Sequence, residues 1–237
     1  PIRVPAPPPA RAVRRLLSRL GLHPDDPTPS SADLSGRRAL VIATNHAQLD
    51  IGRPTGVFAS ELTVPYYAFV DAGMSVEVAS PLGGVIPVDP LSLKPAVRTA
   101  ADDRFLSDAV LRAAMNASRP VGSLDMADYD IVYLAGGWGA AFDLGTSEVL
   151  GDQMTAAVAA GAAIGGVCHG PLGLLRARDT DGRPLVEGRR IRAVTDKQVR
   201  ELGITPTPLH PGRDLRAAGA LSEGRAGRPD VLAHHRV

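Results

Sequence analysis

A single cysteine, Cys168, occurs in the 237-residue chain. One thiol cannot close an intramolecular disulfide, which excludes a small secreted fold stapled by internal bridges and favours a reducing compartment such as the cytoplasm. Charge of one sign is not in excess either. With 26 Lys and Arg against 25 Asp and Glu, the net charge is +1, so no global field gathers nucleic acid or an anionic membrane. No apolar run reaches the roughly 18 residues that a membrane-spanning helix needs, so stable membrane insertion is not expected. Lysine is reduced to Lys94 and Lys197, an arginine bias that implies no function. The expected partner is therefore a small molecule. The chain begins at Pro1 rather than Met, which leaves an upstream leader open.

What remains is a chain with enough apolar content, 44%, for one sizeable core. Residues 1–35 are set apart by PAPPPA, a basic stretch ARAVRRLLSRLGL and the Pro/Ser/Asp-rich HPDDPTPSSADLSG. In the basic stretch Val13, Leu16, Leu17 and Leu20 recur at helical spacing, opposite Arg11, Arg14, Arg15 and Arg19. Such a helix docks on a domain or partner, or lies on a membrane surface. Residues 36–237 then form one domain.

Within that domain strands alternate with helices. ALVIAT (39–44), SVEVAS (75–80), YDIVYLA (129–135) and AAIGGV (162–167) read as strands. Helices are expected over 57–73, from Asp102 to Asn116, over 147–161, in PLGLLRAR (171–178) and near 196–202, with a hairpin-like piece around GRPLVEGRRIRAVT and a last apolar piece at VLAHH. Crossover connections of this kind imply an α/β fold with a mostly parallel sheet covered on both faces. Ligands in such sheets sit beyond the carboxyl ends of the strands. Four loops meet there, after Thr44, Ser80, Ala135 and Val167.

The last of these loops carries chemistry. GVCHG (166–170) has the form G-x-nucleophile-x-G between a strand and a helix, a nucleophile elbow with Cys in place of Ser. Its glycines allow a tight turn, and Pro171 suits a first helical position. Cys168 at a helix N-terminus is expected to be a stabilised thiolate; the competing reading is a small apolar packing residue. His169 offers an imidazole as general acid or base, and its N–H is a candidate oxyanion donor. Gly136 and Gly137, in the turn GGWG, are candidates for the second donor. Glu61 lies in the otherwise apolar FASELTVPYY, where burial of a carboxyl is costly unless it is protonated or paired; that marks it as a candidate acid.

These stretches together resemble the DJ-1/PfpI (ThiJ/PfpI) superfamily, the class I glutamine amidotransferase-like proteins. The resemblance rests on TGVFASEL, DYDIVYLAGGWG and GGVCHGPLGLL, and SPLGG and GRPLVEGRRI point to its heat-shock chaperone and glyoxalase III branch. It implies a flavodoxin-like three-layer sandwich, a catalytic set of Cys168, His169 and Glu61, no cofactor, no metal and a homodimer. It also implies a cysteine-dependent, glutathione-independent glyoxalase acting on methylglyoxal or related aldehydes, with protein deglycase or chaperone activity as an accompaniment. Two positions depart from the branch: Trp138 stands in the glycine turn where a His is common, making it a pocket residue, and Val199 stands where a His-orienting Glu is usual. Asp196 or Glu201 is the candidate third acid. Two other readings stay open. One is an amide hydrolase using His210 and Pro211, in which the carbonyl substrate is replaced by an amide. The other is a redox sensor or chaperone in which Cys168 is oxidised. His234 and His235 make a weak metal site at best.

Overall fold

The computed structural model describes residues 32–195, 207–222 and 231–233. The basic segment around Leu16, the helix expected near 196–202 with Asp196, Val199 and Glu201, and the His234–His235 pair lie outside the described residues. No helix among the described residues is long and apolar enough to cross a membrane.

The elements follow in the order β1 (Arg38–Ile42), α1 (Ala59–Asp71), β2 (Ser75–Ser80), α2 (Ala100–Ser107), α3 (Ala109–Asn116), β3 (Arg119–Pro120), β4 (Ile131–Leu134), α4 (Ala140–Asp143), α5 (Glu148–Ala159) and β5 (Ala163–Val167). After them come β6 (Arg190–Ile191), α6 (Pro211–Ala217), β7 (Leu221–Ser222) and β8 (Val231–Ala233). The main sheet has the order β3-β2-β1-β4-β5-β8, parallel except for β8.

Period-two alternation along the central strands builds two cores. Leu40, Ile42, Val132, Leu134 and Ile164 point to one face, where Leu144, at the C-cap of α4, and Leu150 and Met154 of α5 cover them. Val41, Ala43, Tyr133, Ala135 and Val167 point to the other, under Leu62, Tyr66, Phe105, Leu111 and Met115 of α1 to α3. Each fully buried Leu or Ile contributes about 1.5–3 kcal/mol, and an apolar strand buried on both faces has no exposed alternative. The result is the expected three-layer α/β sandwich.

Three local expectations are corrected. The helix predicted from Asp102 to Asn116 is two helices, because Asp108 leaves helical geometry (φ −85°, ψ 105°) and its carboxylate accepts from Val110 N–H and Leu111 N–H, capping α3. PLGLLRAR is not an α-helix but a 3-10 turn over Gly170–Leu174. The hairpin-like piece is confined to an antiparallel bridge between Arg178 and Pro184; Arg190–Ile191 instead pairs in parallel with Leu221–Ser222 in a separate small sheet.

Candidate active site

Side chains of the loops after β1, β4 and β5 meet in one cluster, Leu49, Trp138 and Cys168, and the loop after β2 is joined to the first of these loops through Asn45. Cys168 adopts φ 56°, the one positive φ of a non-glycine residue among the described residues. A left-handed conformation costs an L-residue roughly 1–2 kcal/mol, and the surroundings enforce it. A Cβ on the following Gly170 would lie 2.1 Å from the Leu134 carbonyl oxygen, so this turn must be glycine and must sit directly on β4. Cys168 itself is half-buried.

The elbow folds the next side chain back over the sulfur. His169 Nδ1 lies 3.2 Å from Cys168 Sγ, and the ring tilts against Trp138, with centroids 4.7 Å apart. His169 is buried, and its Nε2 is closed off from solvent without a hydrogen bond among the described residues. Burial, with the charge of His210 as a smaller cause, lowers its pKa to about 3. The imidazole is thus neutral throughout the physiological range.

Glu61 reaches the same sulfur from the first turn of α1. Burial raises its pKa to about 8, against smaller lowering contributions from Cys168 and the Gly136 N–H. Its Oε2 is sealed from solvent with no well-formed hydrogen bond among the described residues, the backbone of Gly136 lying so close that a Cβ there would come within 2.5 Å. At neutral pH this carboxyl holds its proton and can donate it to sulfur.

The thiol does not follow the expected helix-terminus logic. A five-residue 3-10 turn supplies little dipole, and burial and a charged Glu61 push the Cys168 thiol up. Glu61 presents that charge only above about pH 8; below it carboxyl and thiol both hold their protons. The N–H groups of Gly137 and His169 both aim at Sγ and favour the thiolate. Of the expected backbone donors, Gly137 and His169 therefore serve the sulfur, while Gly136 turns to Glu61.

The wall is apolar. Trp138, Leu49 and Val194 form a small buried cluster on which Phe142 and Cys168 pack. Residues that sequence reasoning missed also line the region. Tyr133 feels the charges of Glu61 and Cys168, with its phenol pushed up chiefly by burial; a tyrosine in an apolar strand reads as core. Asp143, at the end of AAFD, carried the same signal as Glu61, an acid in an apolar helical run. His210, by contrast, was singled out in the sequence for the amide-hydrolase reading, and its charge is felt at His169 from the N-cap of α6. Among the described residues no group of three or more His, Cys, Asp or Glu side chains could hold a metal ion.

The model of the DJ-1/PfpI family matches residues 53–197, more than half of the chain. The chain belongs to the DJ-1/PfpI family. Glyoxalase 3 of Candida albicans is 29% identical over 157 residues, which cover 65% of this chain and 66% of that protein. The glutathione-independent glyoxalase hsp3101 of Schizosaccharomyces pombe is 29% identical over 158 residues, 65% of each chain. The chain thus spans just under two thirds of the length of these curated relatives. Among solved DJ-1/PfpI-like folds, the C. albicans glyoxalase III structure superposes with a TM-score of 0.74 at 26% identity, covering 81% of this chain and 84% of the other. The 24 kDa Rapid Encystment Protein of Francisella tularensis gives a TM-score of 0.75 at 27% identity, covering 80% and 84%.

Proposed function

We propose that this chain is a cysteine-dependent, glutathione-independent glyoxalase that converts methylglyoxal or a related small 2-oxoaldehyde into the 2-hydroxy acid. The observation that carries the reading is the protonated Glu61 carboxyl against the sulfur of a strained elbow. The names of the glyoxalase relatives support the same reaction.

In this reading Cys168 thiolate adds to the aldehyde carbon C1, and Glu61 gives its proton to the developing alkoxide. The product is a neutral hemithioacetal beside a carboxylate. Glu61 then removes the C1 proton and returns it to C2, while the hydroxyl proton passes from the C1 oxygen to the C2 oxygen. The resulting 2-hydroxyacyl thioester is hydrolysed by water, releasing the acid and the thiol. A carboxyl titrating near 8 suits both directions of this transfer. His169, with a pKa of about 3, is too weak a base for it and instead holds the sulfur through Nδ1.

The same reading makes Cys168 and Glu61 catalytic, the Gly137 and His169 N–H groups, which hold the resting sulfur, the donors that pass to the oxyanion as the C–S bond forms, and Trp138 a substrate-facing wall. It sets residues 1–35 apart as an appendage of a 36–237 domain and places the protein in a reducing compartment, where the free thiol persists. The working unit is a homodimer, supported by Leu82 at 83% and Val85 at 59% exposure in the loop after β2; a monomeric mass by sedimentation would reject that part.

The deciding experiment supplies methylglyoxal without glutathione to the protein and to Cys168→Ala, and measures D-lactate. The reading expects lactate from the first and none from the second. Equal lactate from both removes Cys168 from the chemistry, and none from either transfers the case to amide hydrolysis or reversible thiol oxidation.

A further inference from the structure

A second buried carboxyl stands beside the site and has no part in the reaction above. Asp143 ends α4, which follows directly on the Gly136–Gly139 turn. Its Oδ2 accepts from Thr44 Oγ1 at 2.9 Å and from Asn45 N–H at 2.7 Å, both just beyond the end of β1. Thr44 Oγ1 in turn accepts from His46 N–H at 2.8 Å. The Asn45 side chain carries the connection onward to the loop after β2: its Nδ2 donates to Gly83 O at 2.9 Å and Val85 O at 3.1 Å, and its Oδ1 accepts from Leu82 N–H at 2.8 Å. One carboxyl therefore ties together three of the four loops at the carboxyl ends of the strands.

The tie bears on the catalytic turn without slack. A Cβ on Gly139 would fall 2.6 Å from Thr44 Cγ2 and 2.7 Å from His46 O, so the turn packs straight against the Thr44–His46 backbone. Its other flank is held by Phe58 N–H on Gly136 O at 3.3 Å and Gly139 N–H on Gly56 O at 3.4 Å, at the entry to the helix that carries Glu61. Gly137, whose N–H aims at Sγ, lies between the two flanks.

We propose that Asp143 is a positioning residue for the catalytic turn: through Thr44 and Asn45 it fixes where the Gly137 N–H and Trp138 stand relative to Cys168. A simple packing role would be served more cheaply by an apolar side chain, because a buried carboxyl is costly to desolvate. What the carboxyl adds is direction, since one oxygen receiving two donors fixes two chain segments at once. Among the described residues its Oδ1 is buried without a hydrogen-bond partner, a cost retained at this one point. The inference rests on the catalytic reading of Cys168, but its first measurement does not need turnover.

With one cysteine in the chain, alkylation by iodoacetamide reports on Cys168 alone. The test measures alkylation rate against pH for the full chain and for Asp143→Ala, Asp143→Asn and Thr44→Val, together with kcat and KM for methylglyoxal. Groups facing the sulfur that shape this profile are Glu61, His169 and Tyr133. Asp143→Ala is expected to slow alkylation about tenfold at fixed pH, to move the midpoint upward, and to lower kcat more than it raises KM, because sub-ångström misplacement is costly. Asp143→Asn keeps an acceptor oxygen for both donors and should stay within about threefold of wild type. Thr44→Val should fall between the two. A folded Asp143→Ala with the wild-type midpoint and kcat would overturn the proposal, as would an Asp143→Asn as impaired as Asp143→Ala. Should Asp143→Ala not fold, a Thr44→Val with an unmoved midpoint would overturn it. Absence of turnover in every variant would count against the glyoxalase reading alone, with the alkylation profiles still deciding the role of Asp143.

Discussion

His169 Nδ1 stands 3.2 Å from Cys168 Sγ although the two residues are neighbours in sequence. Adjacent side chains ordinarily diverge; here the left-handed Cys168 backbone turns them to the same side. The imidazole reached in this way is enclosed by Trp138 and pushed down to about 3. The histidine is thus a neutral hydrogen-bonding partner, and the proton-carrying group is Glu61, at about 8. Environment has divided the roles between two residues that sequence alone left equivalent.

A pH–rate profile tests this division. The reactive form of the pair carries one proton, whereas below about 8 the carboxyl and the raised thiol hold two, so kcat/KM for methylglyoxal should rise as pH rises through about 8, where the pair loses the first of them. No inflection is expected near 6.5, the ordinary histidine value, because His169 stays neutral there. An inflection near 6.5 in place of the one near 8 would return the proton transfer to His169.

Stability should carry the same signature with a definite sign. Glu61 has its pKa raised from 4.5 to about 8 on folding, so between those values the native state keeps a proton that the unfolded chain releases. The associated stabilisation is full below 4.5 and is lost as pH rises through about 8. Thermal midpoints measured across that window should decline for wild type and decline less for Glu61→Gln. Parallel curves for the two proteins would show that Glu61 is not perturbed.

Much of the architecture was legible in the sequence, because β1 and β4 are apolar on both faces and such strands have one place to go, the centre of a covered parallel sheet. GVCHG was legible for a related reason: the close approach of Gly170 to the Leu134 carbonyl admits no side chain. The division of Asp102–Asn116 into two helices was not, since Asp108 is as acceptable inside a helix as at its cap, and its choice is fixed by Tyr67, whose hydroxyl donates to it at 2.9 Å. Asp143 was hidden similarly. Its partners Thr44 and Asn45 are about a hundred residues away in sequence, and no periodicity reports a contact of that range. The upward shift of the thiol was not legible either, because its causes are burial and a carboxyl carried by α1, far away in sequence.

Two glycine substitutions separate close approach from backbone conformation. Gly170→Ala would place a methyl 2.1 Å from Leu134 O, a clash with the backbone of a central strand that only moving the elbow relieves. A loss of about 3 kcal/mol or more is expected, at the upper end for overpacking. Gly161→Ala, at φ 86° with nothing within 4 Å, should cost only about 1–2 kcal/mol, from the left-handed conformation itself. Denaturant melts of the two variants give the comparison, and equal losses would show that the elbow is free to shift.

Trp138 decides how dry the histidine is. Its ring lies 4.7 Å from that of His169 and closes a cluster with Leu49 and Val194 on which Cys168 also packs. Trp138→Ala removes this cover, and a buried Trp-to-Ala change costs about 3–5 kcal/mol where the site cannot collapse. The electrostatic consequence is more specific. Because burial is the larger cause that lowers His169, admitting water should raise its pKa toward 6.5, and NMR titration of the ring protons should bring a His169 transition into the observable range. The same variant should then show a second ionisation in its alkylation profile, since a charged imidazole 3.2 Å from the sulfur favours thiolate. A His169 that stays neutral down to pH 4 in Trp138→Ala would mean that His210 and the elbow backbone, rather than the indole, keep it dry.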